Sequence, residues 1–238
     1  LALVISLNFA RAADDLNTIN SGSIPSVDAA QAMTQYIEDI DAKAADFVGT
    51  AGLTNRVPCA VVAANNTTTG IGDLTGHDCD AHNIDAETIL ANQQLFNATH
   101  NVTYPGERTA VERITAGFEL YLADINAMRI QFSQAASTTD PTDPHLKQAY
   151  QDYFQASDVL HKQISLPTLS SSQLPIFQET GHLPTCRIGN LGQNQGQILQ
   201  PAEWTHGGLE TQLSCLSWIN KVHLETAYTD TSNFLTFI

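Results

Sequence analysis

Positive charge is what this sequence most lacks: 10 Lys+Arg stand against 25 Asp+Glu in 238 residues, a formal net charge of -15. A phosphate backbone needs a basic footprint, so nucleic acid is excluded as a partner, and anionic membrane surfaces are disfavoured. Charge of either sign is sparse as well. Charged residues make up 15% of the chain, against about a quarter in an ordinary soluble domain, and Ala, Thr, Ser, Asn and Gln take their place. No stretch of about 18 apolar residues occurs, so no segment reads as a membrane-spanning helix. Also missing are a C-x-x-C pair, a G-x-S-x-G elbow and the lysine of a phosphate-binding loop.

What is present points outward from the cell. Cys59, Cys79, Cys186 and Cys215 are an even number, and their spacing suits disulfides better than a zinc ribbon. Four N-x-S/T acceptors, Asn65, Asn66, Asn97 and Asn101, cluster beside two of the cysteines, which predicts exposed loop in a secreted or surface glycoprotein. Leu1 to Leu7, followed by Ala-Arg-Ala, has the look of a signal-peptide tail. With no basic residue before it and no initiating Met, we read it instead as the end of an amphipathic helix through Ile5, Phe9, Ala12 and Leu16. That reading makes the chain a fragment truncated at its start.

The clearest signal is a heptad period. Ala30, Met33, Ile37, Ile40, Ala44 and Phe47 form an a/d seam, with Ser26 expected as its N-cap and Gly49 as its end. A second seam runs through Val111, Ile114, Phe118, Tyr121, Ile125, Met128, Phe132 and Ala135, opened by a Thr109/Glu112 capping box. A third runs through Leu146, Ala149, Tyr153, Ala156 and Leu160, with Asp143 as cap and Pro144 at the first helical position. The short polar linker between the last two predicts antiparallel neighbours. Residues 50–106 are rich in Asn, Thr, Gly and Asp without a sustained period, and 167–209 are dense in Pro and Gly. The expected organisation is therefore one domain over 1–238: a helical stalk at 1–49, a head loop at 50–106, a helical hairpin at 107–165 and an irregular head segment at 166–238. A disulfide between the two irregular sections would pin the head onto the stalk.

Chemistry is hard to find. His77-Asp78-Cys79-Asp80-Ala81-His82 offers metal-ligand types in one loop but lacks a fourth ligand at zinc spacing, and an oxidised Cys79 binds no metal. Glu179 and His182 match a di-iron half-motif only once, across a glycine. Asp158 and His161 stand one helical turn apart, which predicts a surface hydrogen bond. No catalytic residues, cofactor or metal site are expected.

The order of segments resembles a known family. An acidic heptad helix ends in Ala44-Ala45-Asp46-Phe47-Val48, then come Cys59 and a Gly/Thr-rich loop to Cys79. Much later stand Thr185-Cys186-Arg187-Ile188, a Gln/Gly stretch and Trp204-Thr205-His206-Gly207-Gly208-Leu209. This is similar to the N-terminal domain of A-type trypanosome variant surface glycoproteins, a scaffold shared with related transferrin receptor subunits. The resemblance covers residues 25–80 and 183–215. It implies a mainly α fold, an elongated antiparallel helical bundle or coiled coil with an irregular disulfide-linked head. It also implies a homodimer, held on the outer face of the plasma membrane by a glycosylphosphatidylinositol (GPI) anchor from a segment outside this chain. The implied function is a coat that shields the parasite membrane and evades host antibodies by antigenic variation. A receptor for a host serum protein on the same scaffold is the alternative. An enzyme using the His77–His82 loop is a third reading. By resemblance Cys59 pairs with Cys186, and Cys79 with a cysteine upstream of Leu1. Cys215 is extra to the pattern and leaves a Cys79–Cys215 bond open.

Overall fold

The computed structural model describes Ala13, Asn17 and residues 19–49, 59–62, 68–72, 76–104, 106–136, 140–162, 185–188 and 197–236. The expected helix through Ile5, Phe9, Ala12 and Leu16 lies outside these residues, as do Asn65, Asn66, Glu179 and His182. The described chain is mainly helical. A π-helical turn, Ile19–Ser23, leads into α1 (Ile24–Gly49), and β1 (Cys59–Val62) pairs antiparallel with β2 (Thr68–Gly72). Then follow α2 (Gly76–His100), α3 (Glu107–Gln134) and α4 (Pro144–His161). A second antiparallel pair, β3 (Cys186–Ile188) and β4 (Gln197–Leu199), precedes the single turn α5 (Pro201–Trp204) and α6 (Leu209–Thr236).

The three seams are the inward faces of α1, α3 and α4. Every a/d residue of the α1 seam is buried, as are Val111 to Phe132 on α3 and Leu146, Ala149, Ala156 and Leu160 on α4. Phe47 meets Phe132 with ring centroids 4.9 Å apart, joining α1 to α3. Each large side chain so buried contributes roughly 1.5–3 kcal/mol, which is why these stripes dictate which face turns inward.

Helix starts differ from expectation in two of three cases. Ser26 is not a cap, because the chain is already helical ahead of Pro25; its hydroxyl donates to the Asn101 carbonyl at 3.2 Å. α3 begins at Glu107, two residues before Thr109, behind Gly106 at φ 89°, a left-handed conformation that favours glycine. There the Glu107 carboxylate, not a capping box, accepts the backbone N–H groups of Thr103 and of Tyr104, the latter at 2.6 Å. On α4 the cap is as expected: Asp143 accepts from His145 N at 2.8 Å and Leu146 N at 3.3 Å, with Pro144 at the start.

Two helices occupy segments expected to be irregular. α2 fills 76–100 of the expected head loop, and α6 fills 209–236 of the expected head segment. Contacts fix the register. Ser26 meets Asn101 on one side of α1 and Asp39 faces Glu87 further along, so α1 and α2 are antiparallel. On α3 and α4, Gln131 meets His145 and Asp124 faces Asp152, so this hairpin is antiparallel as expected. α4 and α6 run the same way against α1: Tyr150 and Tyr153 reach Val48 and Asp41, while Glu210 faces Asp41 and Leu213 to Trp218 lie beside Ala30 to Thr34. They meet end to end. A β-carbon on Gly208 would lie 2.5 Å from the Leu160 carbonyl oxygen, so only glycine permits that junction. Gly208 thus marks where α6 meets the end of α4.

The disulfide connectivity corrects the implied one. Cys186 is bonded to Cys215, with Cα atoms 5.3 Å apart, so the Cys59–Cys186 and Cys79–Cys215 pairings do not form. Cys79 is itself disulfide-bonded. The register gives the reason. Cys79 lies opposite the Phe47 end of α1, whereas Cys215 lies opposite its Met33–Thr34 turn. At about 1.5 Å per residue these levels are ~20 Å apart, and a disulfide tolerates Cα separations of no more than about 7 Å.

Candidate functional site

Arg187 is the side chain around which a site can be built. It sits on β3, next in sequence to Cys186, and the Cys186–Cys215 bond holds that strand against α6. The tether brings the guanidinium over the ring of Trp218, 5.3 Å from the centroid, one helical turn beyond Cys215. Beside this pair lies a cleft of about 220 Å³, with Gln31 and Thr34 on the α1 side and Ser214 and Ser217 on the α6 side. Ala30 and Leu213 form its apolar floor.

The electrostatics of the cleft are unusual for this chain. Among the described residues, Arg187 Nε is buried with no hydrogen-bond partner and no carboxylate lines the cleft. Elsewhere basic side chains have acidic neighbours: Arg129 grips Asp85 at 2.6 and 3.3 Å, and Lys162 pairs with Asp158 at 2.5 Å. Thr34 donates its hydroxyl to the Ala30 carbonyl at 2.9 Å, which leaves its oxygen lone pairs directed elsewhere.

Below the cleft the turn into α6 is rigid. Trp204 is fully buried, and the Gln212 side-chain amide donates to its carbonyl. The Gln200 N–H donates to Glu203 Oε2 at 2.6 Å, closing α5. His161 Nδ1 lies 3.1 Å from Glu210 Oε2 across the α4–α6 junction, so His161 bonds to Glu210, and Asp158 to Lys162, rather than to each other. The Trp204–Leu209 segment therefore acts as a packing corner.

A buried polar node lies behind that junction. Asp41 accepts a hydrogen bond from Tyr153, and burial, opposed by His161, raises its carboxyl above the ordinary value. The Tyr121 hydroxyl is buried without a partner among the described residues, and burial followed by the Asp41 charge pushes its pKa up. The Asp41 and Tyr121 groups come from α1 and α3, and Tyr153 from α4.

The expected modification sites separate by environment. Asn97 is exposed on the last turns of α2, its amide donating to Gln94 Oε1 at 3.3 Å. Asn101 is half-buried, and its amide donates to the Asn97 carbonyl at 2.6 Å, a bond that glycosylation there would disturb. Neither stands in a long loop. The side chain of Cys59 falls outside the described residues. Of the His77–His82 set, Cys79 is oxidised, and Asp80 is buried while His82 is exposed, so the set does not converge. Among the described residues no three His, Cys, Asp or Glu side chains are grouped to hold a metal ion. Nor, among them, is any helix long and apolar enough to cross a membrane. The Arg187 cleft escaped the sequence reading because it depends on the 186–215 bond. A signal was present in the single Arg following a cysteine.

No protein-family model matches the chain, and neither a curated protein nor a solved structure matches it.

Proposed function

We propose that this chain is a cell-surface coat glycoprotein without enzymatic activity, which shields a parasite membrane and evades host antibodies by antigenic variation. The observation that supports it most is the division of labour in the fold. Continuous buried seams hold α1, α3 and α4 together, while β3, in the long connection between α4 and α6, is tied to α6 through Cys186–Cys215. Exposed residues of that connection, Ile198 among them, can change without entering a seam, and surface loops tolerate such variation. The exposed Asn97 acceptor fits the same reading, as do the homodimer and the external GPI anchor implied by the sequence resemblance.

The test is expression with native flanking sequence in a trypanosome. Expected outcomes are labelling on intact cells, release by a phosphatidylinositol-specific phospholipase C, a mass loss with peptide-N-glycosidase F, and a dimer in analytical ultracentrifugation. Retention inside the cell would sink the reading. Stoichiometric capture of one host serum protein would replace it with the receptor reading.

A further inference from the structure

We propose that the cleft between α1, β3 and α6 binds a monosaccharide-sized sugar acid through its carboxylate, with Arg187 as the anchoring cation. The inference is independent of the coat reading. Arg187 is half-buried, and its buried Nε has no hydrogen-bond partner among the described residues, an N–H that a bound anion can meet. The planar fork of an arginine matches a carboxylate in bidentate geometry. The cation–π contact with Trp218 restrains the guanidinium, and the neighbouring disulfide holds the strand that carries it.

The remaining lining selects within the class of anions. Among the described residues one cation lines the cleft, and the chain carries a net charge of -15, so a monoanion is favoured over a phosphate dianion. An amino acid would need an acceptor for its ammonium group, and no carboxylate stands among the described residues of the lining. Hydroxyl groups, by contrast, find Gln31, Thr34, Ser214 and Ser217 on facing walls. A volume of about 220 Å³ is smaller than a drug-sized pocket and suits one sugar ring.

Trp218 is also the reporter. The other tryptophan, Trp204, is fully buried, so ligand entering the cleft changes chiefly the Trp218 emission. Titrations of the purified chain use glucuronate and galacturonate, with glucose and inorganic phosphate as comparison probes. At least one uronate is expected to give a saturable change, weakened by added salt, while glucose gives none and phosphate binds about tenfold more weakly or not at all. Arg187→Met, which keeps the stem over Trp218, should weaken uronate binding at least about tenfold, and Arg187→Lys should recover only part of it. Circular dichroism checks that each variant keeps its helix content. Should Arg187→Met misfold, Thr34→Val and Ser217→Ala carry the same comparison, with a loss of about threefold or more expected from each. Flat titrations with both uronates, equal binding of phosphate, or undiminished binding by the folded variants would overturn the proposal.

Discussion

Asp41 shows how a single residue writes pH dependence into this molecule. One of its oxygens is buried without a partner among the described residues, and burial is the main reason its carboxyl is harder to ionise. The His161 charge and the Tyr153 hydrogen bond offset part of that, and Glu210 adds to it. A carboxyl whose folded pKa lies above its unfolded value contributes stability that is fully present below the unfolded pKa and lost as pH rises through the folded one. Asp41 therefore weighs against folding at neutral pH. Glu87, raised by burial and by Asp39, and Asp124, raised by burial and by Asp152, act with the same sign. His223, which burial lowers against the pull of Glu107, acts oppositely below the ordinary histidine range. Asp41→Asn keeps an acceptor for Tyr153 and removes the charge. We expect it to stabilise the protein by on the order of 1 kcal/mol at pH 7.5, a figure already discounted for the exposed side of the carboxyl. The gain should shrink toward pH 4. Thermal melts of both proteins across that range check it, and a gain independent of pH would exclude the carboxyl as the cause.

At the scale of elements, the start of α3 makes the sharpest prediction. Glu107 is fully buried and binds two backbone N–H groups of the turn that links α2 to α3. That turn also places Tyr104, whose ring stacks on His223 of α6 at 3.9 Å and whose hydroxyl meets Ser23 at 2.8 Å. Glu107→Ala removes the acceptor from both donors, and each such charged hydrogen bond is worth roughly 1.5–3 kcal/mol. A loss of about 3 kcal/mol in urea unfolding is expected, with Glu107→Gln losing less than half of that; equal losses would show that the acceptor oxygen is not what matters. The same elements show what the sequence made legible. α1, α3 and α4 were readable because Met, Ile, Phe and Tyr recur at their inward positions. α2 has an inward series too, Asp80, Ile84, Glu87, Ala91, Leu95 and Ala98. Polar and small residues alternate in it, so it lost all contrast against an Asn- and Thr-rich background. In α6 the steps from Leu209 to Leu213 and Leu216 continue into Asn220 and His223, and the seam fades where it turns polar. Asn220 survives inside because its amide donates to the Leu216 carbonyl at 3.0 Å, a bond no hydropathy pattern encodes. The cleft was less legible still, since it joins residues from three elements brought together by a bond whose pairing the sequence left open.

For the whole molecule, the Cys186–Cys215 bond is a covalent link between β3 and the helical core. It closes a separation of 29 residues, for which loop-closure entropy gives about 3–4 kcal/mol. Both sulfurs are buried, Cys186 beside Trp204 and Leu199 in the same apolar cluster as the α1 and α3 seams. The helices do not depend on this link in the same way, because the seam residues of α1, α3 and α4 form no part of the disulfide and stay buried against one another. Replacing both cysteines by alanine should therefore split the behaviour of the molecule. Total stability falls by about 3 kcal/mol, while helix content by circular dichroism stays close to that of the parent. Local protection against hydrogen exchange disappears from 185–188 and 197–204 but persists in α1 and α3. Loss of exchange protection in α1 and α3 at the same rate as in β3 would mean that β3 and the helices form one cooperative unit. The separation of a variable surface from a constant stalk, on which the coat reading rests, would then fail with it.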